Sequence, residues 1–226
     1  MDIDKIREQF DAVARKYDSQ RKCFIPCFDD FYTGSVSLLK YYREDFRTIV
    51  DLGAGTGLLT KNLYALYPTA RYVLVDVSGD MLEIARERFG GLDNFEFVQC
   101  DYAAEIPVES CDLICSALSI HHLENDAKEA LYRNIYEKLD PGGCFINLDQ
   151  FNGESRRMNY LYNALWNDYI AHSGLTPQER AAGRERQKLD RENTVPETLE
   201  LLKRSGFPGA ECVYRYMKFG VVMAIK

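Results

Sequence analysis

With 226 residues, of which 46% are hydrophobic and 28% charged, the chain is long enough to bury one substantial core and has an ordinary globular composition. A net charge of −7 disfavours broad, nonspecific binding to nucleic acid, which depends on neutralising phosphates. No run approaches the roughly 20 apolar residues of a membrane span, and Met1-Asp2-Ile3-Asp4-Lys5 lacks the basic-then-apolar profile of an export signal, so a cytoplasmic, membrane-free protein is expected. The seven cysteines are an odd number and form no C-x-x-C pair; free thiols, and no metal site, are the expectation.

In chain order, apolar residues at helical spacing predict a first helix over 4–17, with Asp4 as its cap, and a second over 28–42 after Pro26. From Arg47 the texture changes to short apolar runs that end in acidic or glycine residues and alternate with amphipathic helices. Strands are predicted at 48–52, 72–76, 95–100, 112–116 and 144–149. Helices fall at 58–66, 79–89 and 125–139, the last ended by Pro141-Gly142-Gly143. Tyr72-Val73-Leu74-Val75 is apolar without alternation, as in parallel strands covered on both faces, which predicts a doubly wound, Rossmann-like α/β sheet. The pattern then turns helical at 155–172, 177–191 and 196–205. Strands at 210–216 and 219–225, joined by Met217-Lys218, close the chain as an antiparallel hairpin. The expected organisation is one domain, 1–226, made of a helical lid (1–45), a core (46–150), a helical insertion (151–208) and a C-terminal hairpin (209–226).

Open parallel sheets bind ligands at the carboxyl ends of their strands, where strand order reverses. There the first strand ends in Asp51-Leu52-Gly53-Ala54-Gly55-Thr56-Gly57. Without a β-carbon, Gly53, Gly55 and Gly57 let the chain turn sharply and a ligand lie against the backbone, while Asp51 can accept from an ammonium or from neighbouring amides. Nucleotide-binding oxidoreductases use a similar turn, but G-x-G-x-x-G counted from Gly53 would need glycine at Leu58, and the third glycine comes one position early at Gly57. Asp76 closes the second strand, where a carboxylate can accept from a ribose diol. Asp101-Tyr102 follows the third, with a carboxylate for an adenine amino group and an aromatic face for the ring.

Val50-Asp51-Leu52-Gly53-Ala54-Gly55-Thr56-Gly57, Asp76, Asp101, Cys111-Asp112-Leu113-Ile114 and Leu139-Asp140-Pro141-Gly142-Gly143 resemble the successive motifs of class I S-adenosylmethionine-dependent methyltransferases. The resemblance implies a seven-stranded sheet with its last strand antiparallel. Its cofactor is S-adenosyl-L-methionine, leaving as S-adenosyl-L-homocysteine, and no metal is implied. It also implies that Gly53, Ala54, Gly55 and Gly57 with Asp51 face the methionine part, Asp76 with Val77 and Met81 the ribose side, and Asp101 with Tyr102 the adenine. Ala117, Leu118 and Ser119 would lie under the sulfonium, with Tyr17 in the lid. The activity implied is methyl transfer to a small-molecule acceptor.

Such a transfer is an in-line displacement of an already activated methyl, so alignment and exclusion of water matter most, and a base helps where the acceptor is protonated. His121 and His122 are the candidates, with capping or packing under the lid as the alternative role. In the insertion, Arg180, Arg184, Lys188 and Arg191 share one helical face; interleaved acids make this either a salt-bridged surface or an anion clamp over the site. The chain is also similar to carboxy-S-adenosylmethionine synthases of the tRNA wobble-uridine pathway, through Trp166-x-Asp168-Tyr169 to Arg184 and through Lys218-Phe219-Gly220-Val221-Val222-Met223-Ala224-Ile225-Lys226. That similarity implies that Arg184 binds an extra carboxylate and that Tyr32 lies near the cofactor. It departs at Ala117, where that family has asparagine, and at Gly57. A tRNA partner and a homodimer stay open, and nucleic acid is otherwise not expected.

Overall fold

The computed structural model describes residues 3–226; Met1 and Asp2, at the head of the predicted lid, lie outside the described residues. The N-terminal part comprises α1 (Ile3–Asp11), a 3-10 turn (Ala14–Lys16), α2 (Tyr17–Phe24), a π turn (Asp30–Gly34) and α3 (Leu39–Tyr42). The core follows as β1 (Thr48–Leu52), α4 (Leu58–Leu66), β2 (Arg71–Asp76), α5 (Gly79–Phe89), β3 (Phe95–Gln99), β4 (Cys111–Ala117), α6 (Asn125–Lys138) and β5 (Leu139–Gln150). Then come α7 (Arg156–His172), α8 (Pro177–Gln187), α9 (Val195–Arg204), β6 (Gly209–Tyr216) and β7 (Phe219–Ile225).

The seven strands form one sheet in the order β3-β2-β1-β4-β5-β7-β6, parallel except that β7 runs antiparallel to both β5 and β6. The order reverses between β1 and β4, which places the end of β1 at the switch point of the doubly wound arrangement. Successive strand residues point to opposite faces, and both faces are covered. Tyr72, Leu74, Ile49, Cys115 and Ile146 pack with α4, α5, α7 and the N-terminal helices. Val73, Val75, Val50, Ile114 and Phe145 pack with Leu131 and Ile135 of α6 and Leu201 and Leu202 of α9.

Three elements differ from the sequence expectation. The helix predicted over 4–17 stops at Asp11, whose Oδ1 accepts from Ser78 Oγ at 2.5 Å; the 3-10 turn then redirects the chain into α2, most of which lies beyond the end of the first predicted helix and before the second. The helix predicted over 177–191 ends at Gln187, because Asp190 and Arg191 turn back to contact His121. The four-residue basic stripe is therefore cut, and Lys188 and Arg191 stand beyond the helix. Finally, β5 starts at Leu139 and carries Pro141-Gly142-Gly143 within the sheet edge, where Gly142 N donates to Lys226 O and Lys226 N to Gly143 O.

Candidate active site

A cleft opens at the carboxyl ends of β1 to β4, the usual ligand position in this kind of sheet. Of the residues singled out from the sequence, it brings together Tyr17, Gly53, Gly55, Asp76, Val77, Met81, Asp101, Tyr102, Ala117, Leu118 and His122. Gly53 and Gly55 have φ of +69° and +55°, which side-chain-bearing residues rarely adopt. A β-carbon on Gly53 would meet Ser119 Oγ at 2.0 Å, whereas one on Gly55 meets nothing within 4 Å, so a ligand can approach the backbone there.

Asp76 is held rather than loose: its Oδ2 accepts from the Gly55 amide at 2.7 Å and its Oδ1 from the Ser78 amide at 2.8 Å. Burial pushes its pKa up to about 6, against these amides, which favour the charged form. Asp101 Oδ1 accepts from Ala103 N at 2.9 Å, and Tyr102 and Ser119 hydroxyls meet at 2.7 Å across the strand ends.

Asp51 stands behind the turn, outside the cleft lining. Its Oδ2 accepts from Thr60 Oγ1 at 2.6 Å, while its buried Oδ1 has no partner among the described residues. Burial raises its pKa to about 7, so a nearby cation would be favoured. Ala54 and Gly57 also lie outside the lining: Gly57 sits at φ +78° under α4, where a β-carbon would strike the Phe89 ring at 2.6 Å. Its role is to seat α4 against α5. Tyr32 is buried beside Phe28 and Phe31, within electrostatic reach of Tyr17, Arg21 and Asp51.

From the N-terminal segment the sequence singled out Tyr17 and Tyr32 as site residues, but no residue of α1. Ile3, Ile6 and Phe10 of α1 complete the cleft wall. This cover is fastened by Ser78 to Asp11, by Thr56 Oγ1 donating to Asp18 Oδ1 at 2.5 Å, and by Arg88 pairing with Asp18. The helical spacing of Ile6 and Phe10 signalled a buried face, but not what it would bury.

His121 and His122 occupy a 3-10 turn (Ile120–His122) beyond β4, and both are buried. His121 Nδ1 lies 2.5 Å from Asp149 Oδ1, and its Nε2 is 3.4 Å from Asp190 Oδ1. Burial alone would lower its pKa; the two carboxylates overcome that and raise it to about 10, so the ring is an imidazolium at neutral pH. Asp190 is correspondingly held well below the ordinary carboxylate range: burial opposes this, and the His121 charge outweighs it. His122 is the opposite case, lowered by burial and by the neighbouring His121 charge. Its Nδ1 is 3.3 Å from Asp190 Oδ1 but off line, and neither ring nitrogen has a hydrogen-bond partner. His121, His122 and Asp190 bring three candidate metal-ligand atoms within 4.8 Å of one another, yet a cation there would have to displace the His121 proton that already balances the carboxylates.

His121 does not line the cleft, and neither does Arg184. Arg184 lies in a separate depression with Arg180, Asn167 and Ile170. Arg186, two positions on, faces a second cavity that touches His122.

Asp76, Asp101 and the open backbone at Gly55 suit a ligand with a diol and an amino-bearing ring, which fits S-adenosylmethionine. Residues 49–143 match the methyltransferase domain family. Over 99% of its length the chain is 24% identical to the carboxy-S-adenosyl-L-methionine synthase of Nautilia profundicola, covering 96% of that protein. Among solved structures it resembles DhpI in complex with S-adenosylhomocysteine, with a TM-score of 0.70 and 21% identity over 98% of this chain and 95% of that one. A longer O-methyltransferase candidate from Nostoc punctiforme also gives a TM-score of 0.70, at 18% identity; this chain spans 60% of its length. No helix among the described residues is long and apolar enough to cross a membrane, and all seven cysteines are free.

Proposed function

We propose that this chain, an S-adenosylmethionine-dependent methyltransferase by its matched domain and fold, methylates a small molecule bound against His122. The observation that carries this reading is the position of His122: neutral, unpartnered and shared between the cofactor cleft and the cavity beside it. S-adenosylmethionine, when bound, supplies a methyl already activated on a sulfonium. The chain's own residues then have three tasks. Asp76 and Asp101 orient the nucleoside end, and the backbone at Gly53 and Gly55 lets the other end lie flat. Ile6, Phe10 and Leu118 exclude water from the line of transfer. His122 would take the proton that an acceptor O–H or N–H gives up when it is methylated.

His121 is a positioning residue in this scheme. Fixed as a cation by Asp149 and Asp190, it keeps its neighbour His122 unprotonated.

A second reading, carboxy-S-adenosylmethionine synthesis, is favoured by the near full-length similarity to such a synthase. Against it stands Arg184, the residue expected to bind the extra carboxylate, which faces away from the cleft. The test is direct: purified protein, methyl-labelled S-adenosylmethionine and small-molecule fractions of a cell extract should give label in an acceptor. Absence of label, together with carboxy-S-adenosylmethionine as the retained nucleoside, would decide for the synthase. The seven free thiols support a reducing, intracellular setting. The acidic net charge argues against tRNA as the acceptor, and a homodimer is compatible with the partly apolar exposed face of α7 at Leu161 and Leu165.

A further inference from the structure

Beside the cofactor cleft lies a second, smaller cavity, and the two share Phe10, Leu118 and His122 as a common wall. Its far side is formed by α2, α7 and α8. Arg21 of α2 and Arg186 of α8 both lie against the ring of Phe24, each guanidinium 5.7 Å from the ring centroid. The approach of α8 is possible because position 183 is glycine: a β-carbon there would lie 2.7 Å from the Phe24 ring.

The polar groups of this cavity are left unfinished. Neither Arg21 nor Arg186 forms an ion pair with any described residue. Arg21 has the Tyr17 hydroxyl as a hydrogen-bonding neighbour, but its buried Nε has none. The nearby Asp18 carboxylate is already taken by Arg88 and Thr56. Gln150 Oε1 and both His122 nitrogens, on residues 9% and 7% exposed, are likewise without partners. The charges facing the cavity also fail to balance. Asp190 is the carboxylate in its lining, and together with Asp149 it is engaged by His121; this leaves the two guanidinium groups without an ion-paired carboxylate among the described residues. Burial, and then the proximity of Arg21, lowers the pKa of Arg186 although Tyr17 and Asp190 pull the other way, whereas at Arg21 burial is outweighed by Tyr17, Tyr32 and Asp18 and the pKa is raised. The remaining walls, Phe10, Phe24 and Trp166, are aromatic, and Trp166 is locked by its Nε1 donating to Phe24 O at 2.6 Å.

We infer that the methyl acceptor is a carboxylic acid with an apolar body, its carboxylate held between Arg21 and Arg186 while its nucleophile reaches His122. Guanidinium forks match a carboxylate through paired hydrogen bonds, and the ring-lined walls accept the body. This rests on the methyl-transfer reading for the direction in which the nucleophile points. The arginine pair is distinct from Arg184, which the resemblance to the synthases had singled out.

The test uses full-length protein saturated with S-adenosylhomocysteine, titrated calorimetrically with benzoate, phenylacetate and 3-phenylpropionate and with the corresponding amides. At least one acid should bind ten times or more tighter than its amide. R186Q and R21Q should each erase that preference while leaving the S-adenosylhomocysteine affinity within twofold, and R21K should restore part of it. Acids and amides binding equally, or neither binding to the saturated protein, would overturn the inference. Failure of S-adenosylhomocysteine itself to bind would instead strike the methyltransferase reading. Tighter binding of carboxy-S-adenosylmethionine than of S-adenosylmethionine, erased by R186Q, would assign the arginines to a carboxylate on the cofactor and likewise overturn it.

Discussion

The rings of Phe10 and His122 meet edge to face, with centroids 5.7 Å apart at 65°, so a residue of the first helix touches the proposed base. The cofactor cleft and the second cavity therefore share a roof, and what loosens α1 should be felt in both.

Truncating that roof gives the first prediction. Phe10→Ala should weaken S-adenosylhomocysteine binding about tenfold, from loss of roughly 1–2 kcal/mol of apolar contact. Calorimetry on the variant checks it, with an unchanged melting temperature as the sign that the fold is intact. An unaltered affinity would show that α1 does not cover the ligand.

Asp76 provides a pH-dependent prediction. Its carboxylate, raised to about 6, is charged above that pH and neutral below it, so cofactor affinity should fall as pH drops through about 6. Asp76→Asn should cost about ten- to a hundredfold at pH 8, the worth of a charge-assisted hydrogen bond, and should flatten the dependence. Affinity measured at pH 5 and pH 8 on both proteins separates the two effects.

For His122, exchange to Gln should lower turnover about a hundredfold with the S-adenosylmethionine affinity unchanged, the usual scale for loss of a general base. The acidic limb of the pH–rate profile, set by its protonation, should disappear with it. If the limb survives in the variant, another group takes the proton.

His121 predicts a stability profile. Its pKa of about 10 in the folded chain lies above the ordinary 6.5, so its contribution is fully present below about pH 6.5 and is lost as pH rises through about 10. The difference in melting temperature between wild type and His121→Gln should therefore shrink steadily over that window. A difference that stays constant would mean that the ring is not charged in the native state.

The sheet was legible in the sequence because buried parallel strands leave continuous apolar runs, and Tyr72-Val73-Leu74-Val75 is one of them. The strand-end residues Gly53, Gly55, Asp76 and Asp101 were legible for the same reason: their position follows from the strands. The walls were not. Arg184 and Arg186 are two positions apart on α8, roughly 200° around the helix, and only packing against Phe24 decides which faces inward. The partners of His121, Asp149 and Asp190, come from the end of β5 and from the turn after α8, separations at which spacing carries no signal. The segment of α2 is polar and short, and it is helical because Trp166 and Tyr169 bond its backbone at Phe24 and Lys22.

Lys128, buried in α6, donates to Arg191 O and Asn193 Oδ1 in the stretch that follows α8. That stretch also carries Asp190, so the anchor that fixes the histidines and the anchor that fixes the end of the insertion are the same few residues. The helices α7 and α8 supply the inner wall of the second cavity, while His121 and His122 keep their place independently of that wall, because Asp149 at the end of β5 and Asp190 hold them.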